Sequence, residues 1–154
     1  MSLAKEKPYF ASPTDYEDDF HAWAFEQAEL LRLKRFGELD LANLVEEVES
    51  MGSEQRHALE SSYRLLIFHL LKWQFQPERR SRSWQLTILR ERNNIGRREK
   101  RNPSLGATAS EIVAEVYADA RKEAGIETGL DRGVFPTVCP YVLAQLRDED
   151  FLPD

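Results

Sequence analysis

At 154 residues, with 42% hydrophobic and 31% charged side chains, the chain can bury a real core without disulfides or metal, and its composition excludes a disordered or fibrous protein. The single cysteine, Cys139, excludes an internal disulfide, MSLAKEKPYF lacks the apolar run of a signal peptide, and the run Leu65 to Phe68 is far short of a membrane span, so a cytoplasmic setting is expected. The net charge of −6 is segregated: residues 1–60 hold 14 acids and 6 bases, residues 61–101 hold 3 and 11, and residues 102–154 hold 10 and 4.

Such segregation marks either a basic binding surface or two acidic segments folded around a basic one. Residues 1–13, punctuated by Pro8 and Pro13, read as a poorly ordered lead-in to a single helical domain over 14–154. Thr14 and Glu17 have capping-box spacing and predict a helix over about 15–36, with Tyr16, Phe20, Trp23, Gln27, Leu30 and Leu31 on its inner face. Acids at 15, 17, 18 and 19 suit its first turn, and Gly37 is its expected stop. Phe25, Leu33 and Phe36 fall off the main stripe and suggest a second contact face, inside the fold or in a homodimer.

A second helix is expected after Glu38 or Asp40, with Leu41, Leu44, Val45 and Val48 inward, ended or kinked at Met51-Gly52-Ser53. Ser53 then caps a third, over about 54–74, whose run Leu65 to Leu71 is apolar nearly all round and belongs at the centre of the fold. Pro77 closes it. Ser83 is the expected cap of a fourth helix from Trp84 to about Glu99, with Trp84, Ile88 and Ile95 on one side and Arg90, Arg97 and Arg101 on the other. Thr108 and Glu111 repeat the capping-box spacing before a fifth helix to about Ala124. Glycines 125, 129 and 133 read as loop, and Pro140 suits the first turn of a short last helix through Leu146. The tail is expected to pack by Phe151 and Leu152. No strand alternation occurs. The expected architecture is all-α, a bundle of four to five main helices plus a short C-terminal one, with no sheet.

YEDDFHAW (Tyr16 to Trp23), LDLANLVEEVESMG (Leu39 to Gly52), HLLKWQFQPERRSRSW (His69 to Trp84), ETGL (Glu127 to Leu130) and FPTVCPY (Phe135 to Tyr141) together resemble the bacterial family known as domain of unknown function 29. The resemblance spans nearly the whole chain and implies a helical, cytosolic, bacterial protein with no assigned activity. GRREKR (Gly96 to Arg101) is more basic than the family pattern there, so a function resting on that run would belong to this member.

The sharpest candidate site is at the start of the fourth helix. Arg79, Arg80 and Arg82, with the hydroxyls of Ser81 and Ser83 and with Trp84, surround a helix N-terminus suited to anions, and arginine forks match phosphate or carboxylate oxygens. The alternative is internal: the same arginines clamp Glu46, Glu47 or Glu49. Nucleic-acid binding would add Lys72, Arg90, Arg92, Arg97, Arg98, Lys100 and Arg101, with Trp73 and Trp84 for stacking, although both tryptophans lie in apolar stripes. Asp18 with His21 and Glu54 with His57 have the i, i+3 spacing of helical metal sites, but lie in acid-rich stretches where such spacing arises by chance. An enzyme would draw on His69 with Glu46 and Glu49; His69, flanked by Phe68 and Leu70, equally reads as a core histidine needing a hydrogen-bond partner. Cys139 has no activating base nearby and reads as structural. No nucleotide fingerprint or Ser-His-Asp order appears, and no cofactor is expected. The leading expectation is a binding or adaptor module for an acidic protein or a phosphate-bearing ligand, not an enzyme.

Overall fold

Apolar residues recur at helical spacing along most of the chain, and the computed structural model, which describes residues 6–154, resolves that periodicity into six α-helices with no strand among the described residues. The protein is all-α. It divides into two compact units, one ending at Gly52 and the other running from Ser53 to Asp154.

In the first unit, helix α1 spans Phe20–Arg32, shorter at both ends than the spacing predicts. The Thr14–Glu17 capping box does not form. Both the N–H and the hydroxyl of Thr14 donate to the Glu26 carboxylate at 2.8 Å, so its capping groups are already used. Asp19 caps instead, accepting from Ala22 N–H at 2.9 Å, and the preceding acids lie in a turn outside the helix. The C-terminus is set by Lys34 rather than Gly37. Lys34 sits at φ 57°, its N–H bonds the Leu31 carbonyl, and Arg35 N–H bonds the Leu30 carbonyl at 2.8 Å. That paired pattern is the Schellman ending, here without the glycine that normally relieves it. Gly37 lies beyond, in a 3₁₀ turn over Phe36–Glu38.

Buried Trp23, Gln27 and Leu30 form the inner stripe of α1. Asp40 ties it to the next helix: its carboxylate accepts from the Trp23 indole at 3.0 Å and Asn43 Nδ2 at 2.8 Å, and its N–H donates to Gln27 Oε1 at 2.8 Å. These donors hold the Asp40 carboxyl below its ordinary value, Asn43 contributing most. Ahead of α1, Tyr9 N–H bonds Glu38 at 2.8 Å and the Lys7 carbonyl accepts from Arg35 at 2.7 Å.

The second and third expected helices are one. Helix α2 runs without interruption over Leu41–Phe75, 35 residues or about 52 Å. Gly52 lowers helix propensity by about 1 kcal/mol relative to alanine. With no proline present, that cost is too small to stop propagation through neighbours that favour helix. The stripe Leu41, Val45 and Val48 was expected inward but is 60%, 54% and 59% exposed. Asn43, Leu44 and Glu47 are the half-buried side, where Tyr16 hydroxyl donates to Glu47.

In the second unit, α2 supplies Leu59, Tyr63, Leu66, Ile67, Leu70 and Leu71 to the core, as its apolar run predicts. Helix α3 (Arg82–Arg101) adds Ile88 and Ile95. Its cap is Ser81, not Ser83: Ser81 Oγ accepts from Trp84 N–H at 3.2 Å. A short α4 (Pro103–Ala107) leads into α5 (Ala109–Thr128), whose buried Ala109, Ile112, Val116, Ala120 and Ala124 allow close approach. The Thr108–Glu111 box is absent, because Thr108 Oγ1 donates back to the Leu105 carbonyl at 3.1 Å. Gly125 remains helical and Gly129, at φ 71°, ends α5 in the left-handed region.

Beyond α5, Arg121 holds the loop by donating to the carbonyls of Arg132 and Phe135 at 3.0 Å. Helix α6 is the short Leu143–Arg147; Pro140 lies outside it, and Gln145 Oε1 accepts from Val142 N–H at 3.0 Å. Phe151 and Leu152 pack against the core, as expected. No helix among the described residues is long and apolar enough to cross a membrane.

Candidate functional site: the exposed face of helix α3

Nine bases lie between Arg79 and Arg101, and none forms an ion pair with a described residue. Among the described residues, six other bases do: Arg32, Arg35, Arg56, Arg64, Lys72 and Arg147. The two acids of α3 are withdrawn from its outer face. Glu91 is buried, and Glu99 accepts from the Tyr63 hydroxyl and, at 2.9 Å, from Arg147. The outward side of the helix is therefore uniformly positive.

That side is not purely polar. Arg82, Leu86, Leu89, Arg90, Asn93 and Arg97 fall at i, i+4, i+7, i+8, i+11 and i+15, one face of a helix. Leu86 is 55% and Leu89 is 44% exposed. They line two adjoining clefts: one of about 320 Å³, walled also by Arg92, Glu149 and Leu152, and one of about 560 Å³, shared with Arg90, Asn93, Asn94 and Arg97. The two leucines belong neither to the side carrying Ile88 and Ile95 nor to a purely basic one, so helical spacing alone does not single them out.

The arginines singled out before α3 are exposed, and each is differently engaged. Arg79 closes a 3₁₀ turn over Pro77–Arg79. Arg80 Nε donates to the Trp73 carbonyl at 2.8 Å and its guanidinium lies 5.1 Å from the Trp73 ring centroid. Arg82 lines the first cleft, Ser81 is committed to capping, and Ser83 accepts from Thr87 through its carbonyl at 3.1 Å. Trp84 is half-buried and covers Lys72, whose Nζ lies 4.5 Å from its ring, 4.6 Å from the Phe68 ring and 3.9 Å from Glu127. Burial lowers the Lys72 pKa, with Glu127 opposing. Arg92 is buried and donates to the carbonyls of Leu146, Gln145 and Glu149 at 3.0, 3.1 and 3.4 Å. Neither residue is available to a ligand backbone.

His69 is half-buried; its Nδ1 donates to the Leu65 carbonyl at 2.9 Å and its ring meets Phe68 edge-on. Burial pushes its pKa below the ordinary value, and it lines none of the clefts named here. In the first unit Glu46 and Glu49 are exposed, as are Asp18 and His21; Glu54 and His57 are exposed in the second. Among the described residues no three His, Cys, Asp or Glu side chains gather as metal ligands. Cys139 contributes to a largely apolar cleft of about 410 Å³ with Val113, Tyr117 and Tyr141, and burial raises its thiol pKa. Phe25, Leu33 and Phe36 of the first unit are 65%, 44% and 59% exposed.

Fold and site together define an all-α protein whose most distinctive surface is a basic helix face interrupted by leucines. The chain belongs to the family described as Domain of unknown function DUF29, which matches residues 16–152. No curated protein and no solved structure matches it.

Proposed function

We propose that this protein is a cytoplasmic binding module of bacterial origin, and that the α3 face receives an acidic, amphipathic segment of a protein partner. The observation that carries this reading is the set of exposed α3 bases, among them Arg82, Arg90 and Arg97, that form no ion pair with a described residue and are interleaved with exposed Leu86 and Leu89. Unpaired arginines supply long-range attraction and bidentate bonds to carboxylates. The leucines supply apolar area, which a phosphate backbone has no means to use. Trp73 and Trp84, which would stack on bases, are instead engaged by Arg80 and Lys72. A helical partner with Leu at i and i+4 and Glu between would satisfy both features.

The test is fluorescence anisotropy with a labelled Leu/Glu amphipathic peptide, against a poly-Glu peptide of equal charge. The Leu/Glu peptide binds more tightly, and added salt weakens both. Burying the exposed half of a leucine contributes about 1 kcal/mol, so Leu86→Ser and Leu89→Ser each weaken the first peptide about fivefold and spare the second. Equal binding of the two peptides, indifferent to both substitutions, would refute the proposal.

A further inference from the structure

The last turns of α3 carry a second feature, separate from the leucines. Arg97, Arg98 and Arg101 line a cleft of about 300 Å³ with Asn94, and Gln55 of α2 closes it from the other side. No carboxylate lines it. The nearest acid in sequence, Glu99, is occupied by Tyr63 and Arg147. The polar contacts within the cleft are few: Arg97 Nη2 donates to Asn94 Oδ1, and Arg98 Nη1 reaches Gln55 Oε1 at a long 3.5 Å. Arg98 Nε is buried and has no acceptor among the described residues.

Each guanidinium has five N–H donors and no acceptor, so three of them walled by two amides leave most donors open. A buried N–H without an acceptor is uncommon and costly, more so on a charged group. Three like charges within one helical turn also repel, and nothing in the cleft offsets them. The open donors on the lining arginines and their mutual repulsion are both met by one kind of occupant: a compact dianion with several oxygen acceptors. A carboxylate has two oxygens and one charge, too little for three forks; a phosphoryl group has three oxygens and up to two charges.

We propose that the Gln55–Arg97–Arg98–Arg101 cleft is a phosphoryl-binding site, taking the phosphate of a small molecule or of a nucleic-acid backbone on the guanidinium groups that line it. Arg97 and Asn94 also line the neighbouring cleft of the partner-segment reading, but Leu86 and Leu89 lie outside this one, so the two readings fail separately.

Arginine Nε–Hε signals in ¹H–¹⁵N spectra read it directly. Whole protein is titrated with pyrophosphate, or with a 20-nucleotide single-stranded DNA, against sodium chloride of equal ionic strength. The Arg98 cross-peak, assigned by its loss in Arg98→Gln, shifts and saturates with at least one phosphate probe and not with chloride. The probe that saturates it at lower phosphate concentration identifies the source. Arg101→Gln and Gln55→Ala weaken that response at least fivefold. An unmoved Arg92 Nε signal shows that each variant is folded, because that group is bonded to the Leu146 carbonyl in the interior. Leu86→Ser leaves the phosphate response intact even if it abolishes peptide binding. An Arg98 signal that ignores both probes, or follows ionic strength alone, overturns the proposal.

Discussion

Arg92→Met tests how the C-terminal segment is held and whether the α3 face depends on it. Arg92 is 5% exposed and its guanidinium spans three carbonyls at the end of α6, two of them at 3.0 and 3.1 Å. Methionine keeps much of the stem and removes the fork. Two well-made charge-assisted bonds contribute roughly 3–6 kcal/mol before desolvation. Burial of the charge offsets part of that, as the lowered pKa of this arginine indicates, with Asp148, Asp150 and Glu149 opposing. The net expected loss is about 3 kcal/mol, or a fall in Tm of about 6–12 °C for a chain of this size. Arg92→Lys keeps the charge without the fork and should lose nearly as much. Thermal denaturation at pH 7 measures both. Limited proteolysis should then cut beyond residue 147 first, and Leu/Glu peptide binding should weaken because Glu149 and Leu152 wall the first cleft. A Tm within about 2 °C of the parent for both variants would mean that the three bonds contribute nothing net and that packing of Phe151 and Leu152 alone holds the tail.

Gly52→Ala should raise stability by about 1 kcal/mol, since Gly52 is helical and exposed and an added Cβ meets nothing within 4 Å; a loss in a thermal melt would mean that α2 is not continuous there. Lys34→Gly should stabilise by about 0.5–1 kcal/mol by relieving the left-handed backbone at φ 57°, measured by urea unfolding; destabilisation would show that the Schellman ending is not formed. His69 makes stability depend on pH. Its folded pKa lies below its ordinary 6.5, so on acidification the unfolded chain takes the proton first. Stability therefore falls as pH drops below 6.5, and this contribution levels off once pH is under the folded value. His69→Gln should flatten the Tm-against-pH slope across that window; an unchanged slope would place its cause elsewhere.

Much of the fold was legible in the order of residues. The apolar run Leu65 to Leu71 belongs at the centre because no side of it suits water, and the Ile112, Val116 and Ala120 spacing marks the inner face of α5. Pro77 and Pro103 interrupt helices through covalent geometry, which tertiary contacts do not alter. Caps were less legible. Thr14 and Thr108 have the right spacing, yet each hydroxyl bonds elsewhere, to Glu26 and to Leu105, and only folding reveals that competition. Gly52 has the look of punctuation in the sequence, but a single glycine is a small penalty that a long cooperative helix absorbs.

The sequence by itself determined that this is an all-α protein with a basic stretch between acidic ones, because helical periodicity and charge order are local properties of the chain. Which bases are available was decided by tertiary structure. Arg92 and Lys72 looked like the other bases in that stretch, and packing buries both, one against backbone carbonyls and one between aromatic rings. Gln55 and Arg98, 43 residues apart, meet only once α2 and α3 are folded. The exposure of Leu86 and Leu89 likewise depends on which side of α3 the core of Ile88 and Ile95 claims. Burial is a property of what lies opposite a side chain, and residue order does not record it.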